Sequence, residues 1–408
     1  MHIGFLSTRF HGTDGVSLES AKWAEVFGNQ GHLNFWFSGL SDREESISSV
    51  VLEAHFEHPR NVAINENFWK RAHLDPGVTA EIESLRSFLR SEILEFIERY
   101  QIDFLVPQNA ITIPMHIPLG LAITDVLRET GIPALAHHHD FYWERERFTG
   151  SAAQPYLDAA FPPSGLPNLR HAVINTAAQQ ELKRRFGLDA IYAPNVMDFD
   201  APLPEPDEYV VGIREDLGFS PTDRIILQPT RVVPRKGIEL AIELVGALGD
   251  PANKLVISHG SGDEGHDYLE SLEKLASEKG VDLRLISDRI ADKRGNNSQG
   301  QKLYTLWDLY PLADFVTYPS LYEGFGNALL EAIYFKKPIL VNRYSVYIDD
   351  IEPHGFDFVT LDGVVSEDAV EQVRRILSEP EQFAGSTEKN FRIAQGAFGL
   401  GQLTGLLS

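Results

Sequence analysis

Tyr318-Pro-Ser-Leu-Tyr-Glu323-Gly-Phe-Gly326-Asn-Ala-Leu-Leu-Glu331-Ala332 is the stretch whose reading decides the fold. The run Phe315 to Tyr318 is short and mainly apolar, as a buried parallel strand requires. Two glycines spaced by one residue make a turn, and Asn327 to Phe335 begins a helix. A helix N-terminus carries free N–H groups and the positive end of the dipole, and glycine lets a ligand come close to backbone, so this turn suits phosphate. Glu323 and Glu331 are open to two readings here: solvated charges on an ordinary βα turn, or ligands of a nucleotide.

Outward from this stretch the same alternation recurs. Strands are expected at Ile225–Gln228, Leu255–Ser258, Leu283–Ile286, Phe315–Tyr318 and Ile339–Val341, with helices at 238–248, 268–279, 303–310 and 327–335 between them and at 367–377 after them. The first half begins with the strand His2–Ser7, a glycine loop through Gly12 and Gly15, a helix over 17–30 ending at Gly31, and a strand at 33–37. Residues 41–77 read as a polar excursion with short helices. Helices follow at 78–100, 117–128 and 177–186, and strands at 104–107, 134–139, 172–175 and 191–193. Pro194, Pro202, Pro204 and Pro206, mixed with four acidic residues, mark a linker. Alternating strands and helices give parallel, doubly wound sheets, whose ligands lie at the carboxyl ends of the strands. The expected division is 1–194, 195–380 and a tail, 381–408, that returns to the first domain.

Composition narrows the function. The 408 residues, 43% hydrophobic and 23% charged, suit a soluble protein of two domains. There is no cysteine, which removes disulfides, thiolate metal sites and thiol catalysis. The net charge is −23, and residues 1–200 hold 16 Lys and Arg against 26 Asp and Glu. An acidic chain of this kind is not a nucleic-acid or anionic-membrane binder, so any anion site must be local. No leader or membrane-length apolar run is read, and a cytoplasmic protein is expected.

Two further clusters stand at strand ends. Thr230-Arg231-Val-Val-Pro-Arg235-Lys236-Gly237 places cations where a strand meets a helix; Arg231 and Lys236 either share one diphosphate or are solvated. His137-His138-His139-Asp140-Phe-Tyr142-Trp143-Glu-Arg145 ends another strand. Alternation turns His137 and His139 to one face; one histidine directed into a cleft fits better than a metal centre, because further ligands are not evident. Tyr142 and Trp143 pack on a sugar or on protein. The pair Glu323 and Glu331 also invites a glycosidase reading, but glycines and cations beside it favour a phosphorylated donor.

Together these stretches resemble the GT-B glycosyltransferases, specifically the retaining family 4 enzymes, also described as glycosyl transferases group 1. Glu323-x7-Glu331 with its EGFG lead-in, Arg231-x4-Lys236-Gly237, Gly15 with Gly31-His32, His139-Asp140 and Asn195-Val-Met-Asp198 occur in the family's order. The resemblance implies two Rossmann-like domains facing across a cleft. It implies His139 and Glu323 as catalytic residues, and a diphosphate held by Gly15, Arg231, Lys236, Gly326 and Asn327. Glu331 would bind the ribose, and His139, Glu323 and Phe325 the donor sugar. The donor would be a UDP- or GDP-sugar, UDP-glucose or GDP-mannose in type, and neither metal nor other cofactor would be required. Asp14, Gln108, Asn109, Trp143 and Arg145 are expected on the side of a small soluble acceptor, with Arg145 suited to an acidic or phosphorylated one such as a glyceric-acid derivative or a sugar phosphate. Departures from the pattern are Asp14 before Gly15, Thr230 before Arg231, Val196 in the linker and Asn327-Ala328 after Gly326. An epimerase of GT-B type and a silent nucleotide-sugar-binding module are the alternatives.

Overall fold

The computed structural model describes residues 1–260 and 266–407, and divides the chain into two compact units. The first comprises Met1–Asn195 with Leu400–Ser408; the second is Val196–Gly399.

The first unit is built on seven parallel strands: β1 His2–Leu6, β2 Leu33–Ser38, β3 Ser48–Val50, β4 Phe104–Pro107, β5 Ala134–His138, β6 Leu169–Val173 and β7 Ala190–Tyr192. Their order is β3-β2-β1-β4-β5-β6-β7. The order runs one way from β1 and the other way from β4, so the switch point of the sheet lies between these two, where α/β folds bind ligands. The helix Gly15–Asn29 follows β1 and is capped by Asp14, whose side chain accepts from the amides of Val16 and Ser17. The helix Pro76–Tyr100 begins with proline after the cap Asp75 and buries Ile82, Leu85, Leu89, Ile93 and Phe96 along one face. It packs with the helix Ile117–Thr130 over Leu6, Leu105 and Ala134 of the sheet. Each such buried aliphatic or aromatic side chain contributes about 1.5–3 kcal/mol.

The second unit carries six parallel strands in the order β10-β9-β8-β13-β14-β15. They are β8 Arg224–Gln228, β9 Asn253–Ile257, β10 Asp282–Leu285, β13 Phe315–Tyr318, β14 Ile339–Asn342 and β15 Val359–Leu361. A small antiparallel hairpin, β11 Gly295–Asn296 with β12 Lys302–Leu303, lies apart from that sheet. Here the switch point falls between β8 and β13. The central strands β8, β13 and β14 are mainly apolar because helices such as Ile238–Leu248 and Glu367–Ser378 cover the sheet, giving this unit its own core.

Several expectations are corrected. The excursion 41–77 holds, besides the expected short helix, here Pro59–Phe68, the edge strand β3, paired with β2. The helix expected at 303–310 is β12 followed by the short helix Leu306–Leu309. Strand β15 was not read from the sequence. The tail expected at 381–408 divides: the helix Ala384–Phe398 lies in the second unit, and only Leu400 onward joins the first. There Thr404 and Leu406 accept hydrogen bonds from Gln30 and Arg170 at 2.8 and 2.7 Å. Among the described residues no helix is long and apolar enough to cross a membrane.

Candidate active site

In the second unit the loops that leave β8 and β13 are locked together. Gly237 has φ +58°, and a Cβ there would stand 2.4 Å from the Pro319 carbonyl oxygen, so only glycine permits the approach. The Leu321 amide donates to the Arg235 carbonyl at 2.8 Å. This approach sets Lys236, 8% exposed, against Glu323, 7% exposed, in a buried ion pair. Glu323 also accepts from Arg235 Nη1 at 2.9 Å and from Ser320 Oγ at 2.8 Å. Burial alone would raise the Glu323 carboxyl; Lys236 and then Arg235 outweigh it and hold it below its ordinary value. Burial draws the Lys236 ammonium down, against the pull of Glu323.

The strand–loop–helix turn that opened the sequence reading has the expected order. Gly326, φ +131°, precedes the helix Asn327–Tyr334, and a Cβ at Gly326 would lie 2.7 Å from the Tyr318 hydroxyl. Glu331 sits four residues, about 6 Å, along that helix, where the buried Tyr310 hydroxyl donates to its Oε2 at 3.0 Å. Burial, then Glu331, pushes the Tyr310 phenol well above its ordinary value, so it stays a hydrogen-bond donor. Arg231 is exposed in the loop after β8, and its charge reaches both Lys236 and His259. His259, at the end of β9, is lowered by burial first and then by Arg231.

Phe325, expected at the donor sugar, has its ring buried edge-on to Phe398 with centroids 5.1 Å apart, and its carbonyl accepts from Tyr344. Arg235, Ser320, Tyr310 and His259 were not singled out. Arg235 was legible beside Lys236, but the x4 spacing drew attention to Arg231 instead.

In the first unit the ends of β4 and β5 are bound by Asn109, whose φ of +55° is left-handed. Its amide donates to the His137 carbonyl at 2.8 Å, its Oδ1 accepts from the His139 amide at 3.1 Å, and its Nδ2 donates to Asp140 Oδ1 at 2.8 Å. Asp140 also pairs with Arg145. The half-buried His139 ring lies 4.4 Å from His137, which stacks on Trp23 at 4.2 Å. Burial, offset in part by Asp140 and Asp14, lowers His139 to about 4, so the imidazole is neutral at pH 7.

The residues expected on the acceptor side receive other tasks. Gln108 is fully buried, its Oε1 2.9 Å from His137 Nδ1. Asn109 ties strand ends together. Trp143 stacks on Phe141 at 4.4 Å beneath Arg185 at 4.7 Å. Asp14 spends its oxygens on the Val16 and Ser17 amides and the Ser17 hydroxyl, in the turn whose Gly15 was expected at the diphosphate. Arg145 is engaged by Asp140. Among the described residues no group of three or more His, Asp or Glu could hold a metal ion.

The second-unit site therefore offers cations, a helix N-terminus and two carboxylates at a switch point, a set suited to a sugar nucleotide. Residues 212–393 match the family described as glycosyl transferases group 1. The mannosylglucosylglycerate synthase of Thermotoga maritima is 34% identical over 100% of this chain and 99% of its own length. The chain belongs to the glycosyl transferases group 1 family. The mannosylglucosylglycerate synthase of Petrotoga mobilis is likewise 34% identical, covering 88% of this chain and 86% of that protein. The fold is shared with Anabaena HepE in complex with UDP and glucose, with a TM-score of 0.67 at 14% identity, covering 100% of this chain and 98% of that one. The protein is thus a GT-B glycosyltransferase with two Rossmann-like units.

Proposed function

We propose that the protein is a retaining hexosyltransferase of family 4 type that moves a mannosyl group from a nucleotide diphosphate sugar, GDP-mannose first among candidates, to glucosylglycerate. The observation that carries the transfer chemistry is the buried Glu323 carboxylate flanked by Lys236 and Arg235 at the switch point of the second sheet. The acceptor reading is supported by full-length similarity to two proteins named for mannosylglucosylglycerate.

In this reading Arg231, Lys236 and the N–H groups at Asn327 bind the diphosphate, and Glu331, oriented by Tyr310, accepts from the ribose hydroxyls. Glu323 holds the sugar. The acceptor hydroxyl oxygen forms a bond to the anomeric carbon as that carbon's bond to the diphosphate oxygen breaks. The hydroxyl proton passes to the departing phosphate oxygen on the same face, which retains configuration without a protein nucleophile. Negative charge grows on the leaving group, where Lys236 and the helix N-terminus stabilise it. Positive charge comes from side chains, so the reaction is expected to proceed in EDTA, in the cytoplasm, with soluble substrates.

The test is transfer from GDP-mannose and from UDP-glucose to glucosylglycerate, with the product's anomeric configuration read by NMR. An α-linked product from an α-configured donor supports the reading. An inverted product, donor epimerisation without transfer, or nucleotide binding without turnover overturns it.

A further inference from the structure

We propose that Arg9 binds the acceptor's carboxylate, in a site walled by Phe56 and His55 at the switch point of the first sheet. The inference rests on the reading of glucosylglycerate as the acceptor, and assigns the charged end of that molecule to a side chain outside the family motifs.

An anionic acceptor must find a local cation, because the first half of the chain is acidic. Arg145, the sequence candidate, is engaged by Asp140, which Asn109 holds in turn. Arg43, past the end of β2, donates to the Ser17 carbonyl at 2.9 Å and lies 4.9 Å over Trp36. Arg9 differs. It stands just past β1, beside the switch point, and its side chain is 34% exposed. Its nearest carboxylate oxygen, Asp14 Oδ2, is 3.4 Å away, longer than an ordinary N–H···O bond. That oxygen already accepts from Ser17 Oγ at 2.6 Å. The guanidinium thus keeps donors for a bidentate carboxylate.

The surroundings are built, not incidental. The backbone on either side of Arg9 is pinned to the loop after β2: Gly39 N donates to the Thr8 carbonyl at 3.0 Å and Phe10 N to the Leu40 carbonyl at 2.8 Å. Gly39 packs so closely on His55 that a Cβ would lie 1.9 Å from its amide nitrogen, fixing the segment that carries Phe56. The Arg9 guanidinium sits 5.3 Å from the Phe56 ring centroid, and His55 lies 4.5 Å from Phe56. Phe56 is half-buried and offers an apolar wall for a sugar. His55 Nδ1 accepts from the Glu57 amide at 3.3 Å, so Nε2 carries the hydrogen of the neutral ring. That Nε2 is buried without a partner. Burial first, then the Arg9 charge, keeps the ring neutral against Glu57.

The experiment compares glucosylglycerate with glucosylglycerol, which has a hydroxymethyl group in place of the carboxylate, as acceptors for wild type, Arg9→Gln and Arg9→Lys. The expected result is that wild type prefers glucosylglycerate. In Arg9→Gln the ratio of kcat/KM for glucosylglycerate over glucosylglycerol falls about 10- to 100-fold, through KM, as loss of a charge-assisted bond predicts. Arg9→Lys restores part of the ratio. Turnover of glucosylglycerol reports that each variant is folded. An unchanged ratio in Arg9→Gln overturns the assignment while the proposed function stands. A wild type that uses both acceptors equally also overturns it, whereas transfer to neither removes the proposed acceptor and this site with it.

Discussion

Acidification from pH 7 to pH 5 should destabilise the first unit by about 6 kcal/mol. Burial lowers His116, His139 and His171, each to about 4. The unfolded chain would titrate them near 6.5, so below that value it binds more protons than the folded chain. Stability is therefore complete above about pH 7, falls as pH drops from 6.5 towards 4, and loses nothing further from these groups below 4. At about 1.36 kcal/mol for every pH unit below 6.5, each group contributes a loss of ~2 kcal/mol by pH 5. The geometry explains the resistance to protonation. His116 Nδ1 accepts from the Leu119 amide at 3.1 Å while Nε2 faces the Glu53 carbonyl at 2.8 Å, so a second ring proton would meet an N–H. His138 and His171 face each other at 2.9 Å and can share one hydrogen, not two. Carboxylates such as Glu323, held low, lose their contribution only at more acid pH. Four of the five tryptophans, Trp23, Trp36, Trp69 and Trp143, belong to the first unit, so their fluorescence reports on it during urea unfolding. With a slope of about 2–3 kcal/mol per molar urea, the midpoint should fall by about 2 M between pH 7 and pH 5. A midpoint that stays within a few tenths molar would refute the reasoning.

Other substitutions test the second unit. Glu323→Gln leaves Lys236 buried without its countercharge, so stability should fall by about 3 kcal/mol and transfer should be lost; in differential scanning, GDP should raise the Tm of this variant more than that of wild type, because the diphosphate replaces the missing anion. Gly237→Ala brings a Cβ to 2.4 Å from the Pro319 carbonyl at a left-handed position, and should cost about 2 kcal/mol or more in chemical denaturation together with most activity. Tyr310→Phe removes the hydroxyl that orients Glu331 and should weaken nucleotide binding about 3- to 10-fold by calorimetry, with little change in KM for the acceptor.

The architecture was legible where local and global signals agree. The strands β8, β9 and β13 are short, apolar and followed by helical periodicity, and the turn at Gly326 carries its own chemistry. What was not legible has a common origin: side chains that act across the sheet. Nothing local distinguishes Gln108, which pairs with a histidine on the next strand, from a loop residue open to solvent. Asn109 reads as a turn residue, and only the neighbouring strand reveals what its amide joins. The edge strands β3 and β15, of three residues each, are too short for periodicity to register. Arg145 was chosen for its charge on a loop expected to face the acceptor, but its partner, Asp140, lies five residues back, and the fold brings one onto the other. Arg9 carries no motif; its prospects arise from the strand order, which places the loop after β1 at the switch point.

The return of the last residues to the first unit makes the second an insertion within it. The chain leaves at Asn195 and re-enters at Leu400, and the two ends of the insertion meet where Met197 N donates to the Phe398 carbonyl at 2.9 Å, beside a bridge between Met197 and Gly399. For protein engineering this means that residues 196–399 can be lifted out as one piece with adjoining termini, and that 195 can be joined to 400 by a short glycine–serine link. Clipping the chain at 399, by contrast, does not trim a loose end: it removes the partners of Gln30 and Arg170 in the first unit, which stand 374 and 236 residues away in the sequence.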